Sequence, residues 1–267
     1  MSTDIAKSVA SPASVPGMVH AAPRRVPLDA PWGWLAAGWR DMWAIPTLSL
    51  TYGAAFAIGA AVMAALLWQK GWHSLFFVLA GGFLLIGPLL GVGLYQASRK
   101  LAAHERVTFY DMISAGFAAK GQLAFFGVIL AFCYLIWMQL AFLMLMLFLS
   151  GNGLPAASEF VPTLLFTPRG LSLLIFGSIV GGIIAATVFV ISAVAVPALL
   201  VERIDAVSAA RASIRAVLAN PKPMALWAGL IAVMMIAGFS TLFVGLVLAF
   251  PLIGHATWHA YQDIYGA

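Results

Sequence analysis

Five long stretches of this chain contain no Asp, Glu, Lys or Arg: Met42–Gln69, Gly71–Ser98, Gly121–Ser158, Gly170–Val201 and Pro223–Gln262. A hydrocarbon core about 30 Å thick takes roughly 20 apolar residues of helix to cross, and every stretch reaches that length. The pattern predicts an all-α fold, a polytopic transmembrane helical bundle. The last stretch is too long for one crossing, since a single helix over it would run about 60 Å. It reads as two helices reversing near Gly238–Phe239–Ser240, which makes six spans near 48–68, 74–96, 123–149, 172–200, 224–239 and 241–261.

An internal repeat supports that division. Arg40-Asp-Met-Trp-Ala-Ile-Pro46 and Arg215-Ala-Val-Leu-Ala-Asn-Pro221 share the spacing of Arg to Pro, and an aromatic follows each Pro at the same distance (Tyr52 and Trp227). Pro88-Leu-Leu-Gly-Val-Gly-Leu-Tyr95 and Pro251-Leu-Ile-Gly-His-Ala-Thr-Trp258 coincide in the same way. The repeated unit is a cytoplasmic amphipathic segment, a helix up, a short turn and a helix back. The middle pair, with Pro197-Ala-Leu-Leu on its returning helix, is a fainter third copy. Each returning helix thus carries a proline, a kink that neighbouring helices can accommodate.

Ahead of the first span, Trp32, Leu35, Trp39, Met42 and Trp43 recur at helical spacing, with Asp29 placed to cap and Pro31 in the first turn. Such a helix suits the membrane interface. Residues 1–28 read as a disordered cytoplasmic tail and 29–267 as one membrane domain.

Composition agrees: 63% of residues are hydrophobic and 9% charged, far from the balance of soluble domains. Twelve of the fourteen basic residues fall on one predicted face, with only Lys70 and Arg169 opposite. The positive-inside rule makes that face cytoplasmic, which puts both termini there. The basic balance is therefore topological and implies no nucleic-acid partner; the lipid bilayer is the expected one, with other membrane-protein subunits as further candidates.

The spans offer little chemistry. They contain no acid or base of the kind that marks ion or proton traffic, no phosphate-cradling loop and no HExxH, so the chain is not read as an enzyme. The one candidate constellation is His255-Ala-Thr-Trp-His259. Histidines at i and i+4 share a helix face, a spacing that holds a metal or sits beside a haem; of the others, only His104 lies where it could approach. Gln139 is the most deeply placed amide and is expected to face another helix, because an unpaired amide in hydrocarbon is costly. Gly87-xxx-Gly91 and Gly177-xxx-Gly181 are expected to permit close helix packing, and Cys133, the single cysteine, to fill space inside span three.

Trp34-Leu-Ala-Ala-Gly-Trp-Arg-Asp41, Thr47-Leu-Ser-Leu-Thr-Tyr-Gly53, Pro88-Leu-Leu-Gly-Val-Gly-Leu-Tyr95 and Pro251-Leu-Ile-Gly-His-Ala-Thr-Trp-His-Ala-Tyr261 resemble a family of uncharacterised bacterial integral membrane proteins, domain of unknown function twenty-one eighty-nine. The resemblance runs over roughly residues 30–265 and implies a bacterial inner-membrane location with no established activity. Three functions are compatible: an accessory or organising component, a carrier or channel for an apolar or weakly polar solute, and a haem- or copper-binding protein using His255 and His259.

Overall fold

The computed structural model describes residues 22–72, 75–118, 120–149 and 157–266. Among them twelve helices form and no strand. They are α1 (Ala30–Ala44), α2 (Pro46–Gln69), α3 (Leu75–Leu90), α4 (Val92–Ala102), α5 (Phe109–Ala118), α6 (Lys120–Leu149), α7 (Ala157–Phe166), α8 (Pro168–Ser192), α9 (Ala195–Val201), α10 (Ala206–Ala219), α11 (Pro221–Ser240) and α12 (Leu246–Tyr265).

Among the described residues five helices are long and apolar enough to cross a membrane: Pro46–Gln69, Val78–Ala102, Gly121–Leu149, Pro168–Val201 and Pro221–Ser240. They coincide with the first five expected spans. The sixth, expected over 241–261, begins as helix only at Leu246, and its second half carries His255, Thr257, His259, Gln262 and Asp263. Those polar residues keep α12 out of the membrane-spanning class on composition. Instead α12 is the most enclosed helix, packed against α1, α2, α4 and α11.

Prolines and glycines set the breaks. Pro88 lies within α3, and the chain is interrupted at Gly91 before α4 resumes. Pro197 cannot bond to the Ala193 carbonyl, and the α8–α9 break falls at 193–194. Pro251 likewise frees the Val247 carbonyl inside α12; that carbonyl and the Pro251 ring pack directly on Gly53 of α2, where a Cβ would not fit. Gly38 of α1 makes a second such approach: a Cβ there would stand 2.6 Å from the Ala256 amide nitrogen. Of the predicted pairs, Gly181 makes such an approach, a Cβ there standing 2.8 Å from the Trp137 ring of α6, and the other three do not. Gly87 and Gly177 face open space, and Gly91 lies under its own helix's Tyr95.

α1 divides its aromatics between two faces. Pro31, Trp34, Gly38 and Met42 form the buried face, and Trp34 meets Trp227 edge-on at 5.8 Å. Trp32, Trp39 and Trp43 stay exposed. Asp29 occupies the N-cap position, yet its side chain makes no capping bond, because its backbone is already helical (φ −85°, ψ −2°).

Of the residues assigned to a tail, 1–21 lie outside the described set, whereas 22–27 form an extended strap. The Arg24 N–H donates to the Ile264 carbonyl at 3.0 Å and the Val26 N–H to Asn220 Oδ1 at 2.8 Å, while Asn220 Nδ2 donates to the Arg24 carbonyl at 2.9 Å. Composition could not reveal this, since the strap's bonds are made by its backbone.

Candidate functional site

The residues that carry chemistry meet where α1, α2, α4 and α12 converge. α12 presents His255 and His259 one turn apart on the face turned toward α1, as the i, i+4 spacing requires. His255 is fully buried. Its Nε2 lies 2.9 Å from Ser49 Oγ of α2 and its Nδ1 lies 2.7 Å from Ser98 Oγ of α4. The Ser98 hydroxyl donates to Asp41 Oδ2 of α1 at 2.6 Å, and His259 Nε2 reaches the same oxygen at 2.8 Å.

The direction of every bond follows from counting protons. An ionised carboxylate only accepts, so both Ser98 and His259 donate to Asp41. Ser98 has a single hydroxyl proton and spends it there; toward His255 it must accept, which places the ring proton on Nδ1. In the neutral ring Nε2 is then the acceptor, and the Ser49 hydroxyl donates to it. The result is a directional chain from Ser49 through His255 and Ser98 to Asp41, closed from the other side by His259.

Asp41 feels opposing influences. Burial pushes its carboxyl up, but the hydrogen bonds from His259 and Ser98, helped by the two nearby histidines, hold it below the ordinary aspartate value. On the same face Trp34 Nε1 donates to Asp263 Oδ2 at 2.9 Å, so α1 is fastened to α12 at both ends of the contact.

Of the predicted ligands, His255 and His259 are therefore brought together, but through Asp41 and Ser98 rather than toward a shared open point. Both ring nitrogens of His255 already have partners. His104 sits in a left-handed turn after α4 (φ 56°) and does not join them. His20 and His73 lie outside the described residues. No group of three or more His, Cys, Asp or Glu side chains among the described residues is arranged to hold a metal ion.

Gln139 departs from expectation. It lies near the middle of α6 and is exposed on the outer face of the bundle, with no hydrogen-bond partner among the described residues. Cys133, on the same helix, is half-buried.

Two apolar clefts complete the candidate sites. One, of about 340 Å³, lies between α2, α3, α6 and the turn after α11, with Gly59, Phe76, Tyr134 and Phe243 in its walls. The other, of about 430 Å³, lies between α3–α4, α8–α9, α11 and α12. Both fall within the size range of small-molecule sites. Sequence reading missed them together with Ser49, Ser98 and Asp41.

Residues 75–202 match the model of a family described as "Predicted integral membrane protein (DUF2189)". The match covers α3 to α9; the Gly-His-Ala-Thr-Trp-His block that carried much of the expected resemblance lies beyond it. No curated protein and no solved structure matches the chain. With its five membrane-length helices, the chain is an integral membrane protein, similar over this segment to a family of unknown function.

Proposed function

We propose that the protein is a six-span component of the bacterial inner membrane, both termini cytoplasmic, that serves as an accessory or organising subunit and not as a catalyst. Several features support the topology. The end of α12 meets the N-terminal strap at Arg24 and the start of α1 at Trp34. These contacts favour placing both chain ends on one membrane face, and with it an even number of crossings. The repeat is echoed in backbone geometry: Ile45 after α1 (φ −134°, ψ 56°) and Asn220 after α10 (φ −131°, ψ 52°) adopt the same conformation, each followed by a helix-starting proline.

One observation carries the accessory role. The Gln139 amide faces outward near the middle of a long apolar helix, where no described residue of this chain satisfies it. An amide left unpaired in hydrocarbon costs several kcal/mol, on the order of 2–7, and polar side chains in spans pair across helix interfaces. A second membrane helix with a polar group at that depth satisfies it. The His255 network points the same way, since its polar atoms are consumed in fastening four helices together.

The test is purification of the protein from native membranes in mild detergent, with mass spectrometry of what accompanies it. A stoichiometric membrane partner, lost in Gln139→Leu, is the expected result. A solitary protein, or a partner indifferent to that substitution, overturns the assignment of Gln139. The two apolar clefts favour a second reading, a carrier for an apolar solute; its test is solute or lipid movement across vesicles holding the purified protein.

A further inference from the structure

The larger cleft has a chemistry of its own. It runs beside α3–α4 from Phe83 to Tyr95, a length of about 18 Å at helical rise, and it is long and narrow. Its walls are almost wholly apolar, and two of the three hydroxyls in them donate elsewhere: Ser192 to the Val188 carbonyl and Thr257 to the Ile253 carbonyl. Its mouth lies between two spans. Gly182, Ala185 and Ala186 of α8 form one lip and Gly229 and Ala232 of α11 the other, all of them exposed. In a bilayer that mouth opens sideways onto lipid.

The third hydroxyl belongs to Tyr95. Tyr95 lines the cleft and is 4% exposed, and its hydroxyl has no hydrogen-bond partner among the described residues. The ring lies against Gly91, where a Cβ would come within 2.6 Å of the phenol oxygen. The Tyr95 backbone stands one turn before Ser98, and the ring points the other way, so the hydroxyl lies at the level of Gly91. A buried phenol ordinarily finds an acceptor, and none of the described residues provides one within reach of this hydroxyl.

We infer that this cleft is a binding site for one acyl chain of a bilayer lipid, entering between α8 and α11, with its ester carbonyl accepting a hydrogen bond from the Tyr95 hydroxyl. A hydrocarbon chain matches the apolar walls, and an ester carbonyl at the level of Gly91 matches the Tyr95 hydroxyl, whose proton has no acceptor among the described residues. The long unbranched form suits a space lined by Gly87, Gly182 and Gly229, at each of which a Cβ would meet nothing within 4 Å. The inference deepens the carrier reading by naming what the cleft holds, but it concerns occupancy, not movement. A lipid that binds and does not cross would end the carrier reading and leave the site standing.

The experiment reconstitutes the purified protein in nanodiscs containing phosphatidylglycerol with a photoactivatable diazirine in one acyl chain. After irradiation, cross-linked residues are mapped by mass spectrometry, in competition with ester-linked or ether-linked lipid of the same chain length. Cross-links should concentrate on cleft residues, and ester lipid should compete better than ether lipid by about 5-fold, the worth of one net hydrogen bond. Tyr95→Phe should erase that preference while preserving cross-linking. Gly182→Leu and Gly229→Leu, which have room for a side chain, should reduce cleft cross-linking at least 10-fold, whereas Gly177→Leu, on α8 away from the cleft, should not. Cross-links spread evenly over the lipid-facing surface overturn the site. An ester preference that survives Tyr95→Phe overturns the role of the phenol.

Discussion

Asp41 shows how much one side chain can hold. It accepts from Ser98 and His259 and thereby ties α1 to α4 and α12. Replacing it with Asn keeps the shape and removes the charge, so hydrogen bonds to a charged group become neutral ones, a loss of about 2 kcal/mol at neutral pH. Its carboxyl is held below the ordinary value. Its contribution is therefore fully present above the unfolded-state value, near pH 3.9, and disappears as pH falls through the lower folded value. Unfolding in detergent should show Asp41→Asn less stable than the parent protein at pH 7, with the gap closing below about pH 4. A gap that stays constant into acid would contradict this account. The histidine pair itself was legible in the sequence, because i, i+4 spacing is local. Ser49, Ser98 and Asp41 were not: each belongs to a different helix, and a lone serine at the edge of an apolar stretch carries no signal until packing sets it beside a ring nitrogen.

Elements were more legible than contacts. Freedom from charge over membrane length located five helices, because hydrocarbon demands it of every residue at once. Breaks at prolines followed from their missing N–H, and Pro251 shows a consequence that no linear reading supplies: the carbonyl it frees lies on Gly53 of a different helix. The expected sixth span did not emerge as one on composition, since the second half of α12 is polar and packs inside the protein. The turn leading to it is strained, with Leu242 and Phe243 both left-handed (φ 52° and 71°), a conformation costing a non-glycine residue roughly 1–2 kcal/mol. Leu242 is 82% exposed, so Leu242→Gly relieves strain while giving up little packing and should raise stability by about 1 kcal/mol. Phe243 is buried against Phe76 and Phe239; Phe243→Gly should lower stability despite the same relief. Thermal unfolding of both variants in one detergent checks the pair, and equal shifts would mean that the packing of Phe243 does not set the two positions apart.

At the scale of the whole molecule, the proposed topology turns on α12. Five crossings would leave the chain end opposite the N-terminus. Yet the last turn of α12 bonds to Arg24, its Asp263 accepts from Trp34, and its His259 reaches Asp41, all on the side where the first span begins. A hairpin of α11 and α12 reconciles these facts in one of two ways, by spanning fully or by entering and leaving through the same face short of the far surface. Both place the C-terminus with the N-terminus, so a reporter fused to the chain end should read cytoplasmic in either case, and a periplasmic reading would refute the even count. The turn separates the two. Val244 is exposed there, and because Cys133 is the only natural cysteine, Cys133→Ser provides a clean background for Val244→Cys. Labelling of intact cells by a membrane-impermeant maleimide should modify that cysteine if the hairpin spans. The helix lengths favour that result, since the 20 residues of α11 extend about 30 Å, the thickness of the hydrocarbon core. Protection from the reagent, together with a cytoplasmic C-terminus, would instead make α11 and α12 a re-entrant pair. The Asp41–His255 network would then fasten the hairpin from its cytoplasmic end alone.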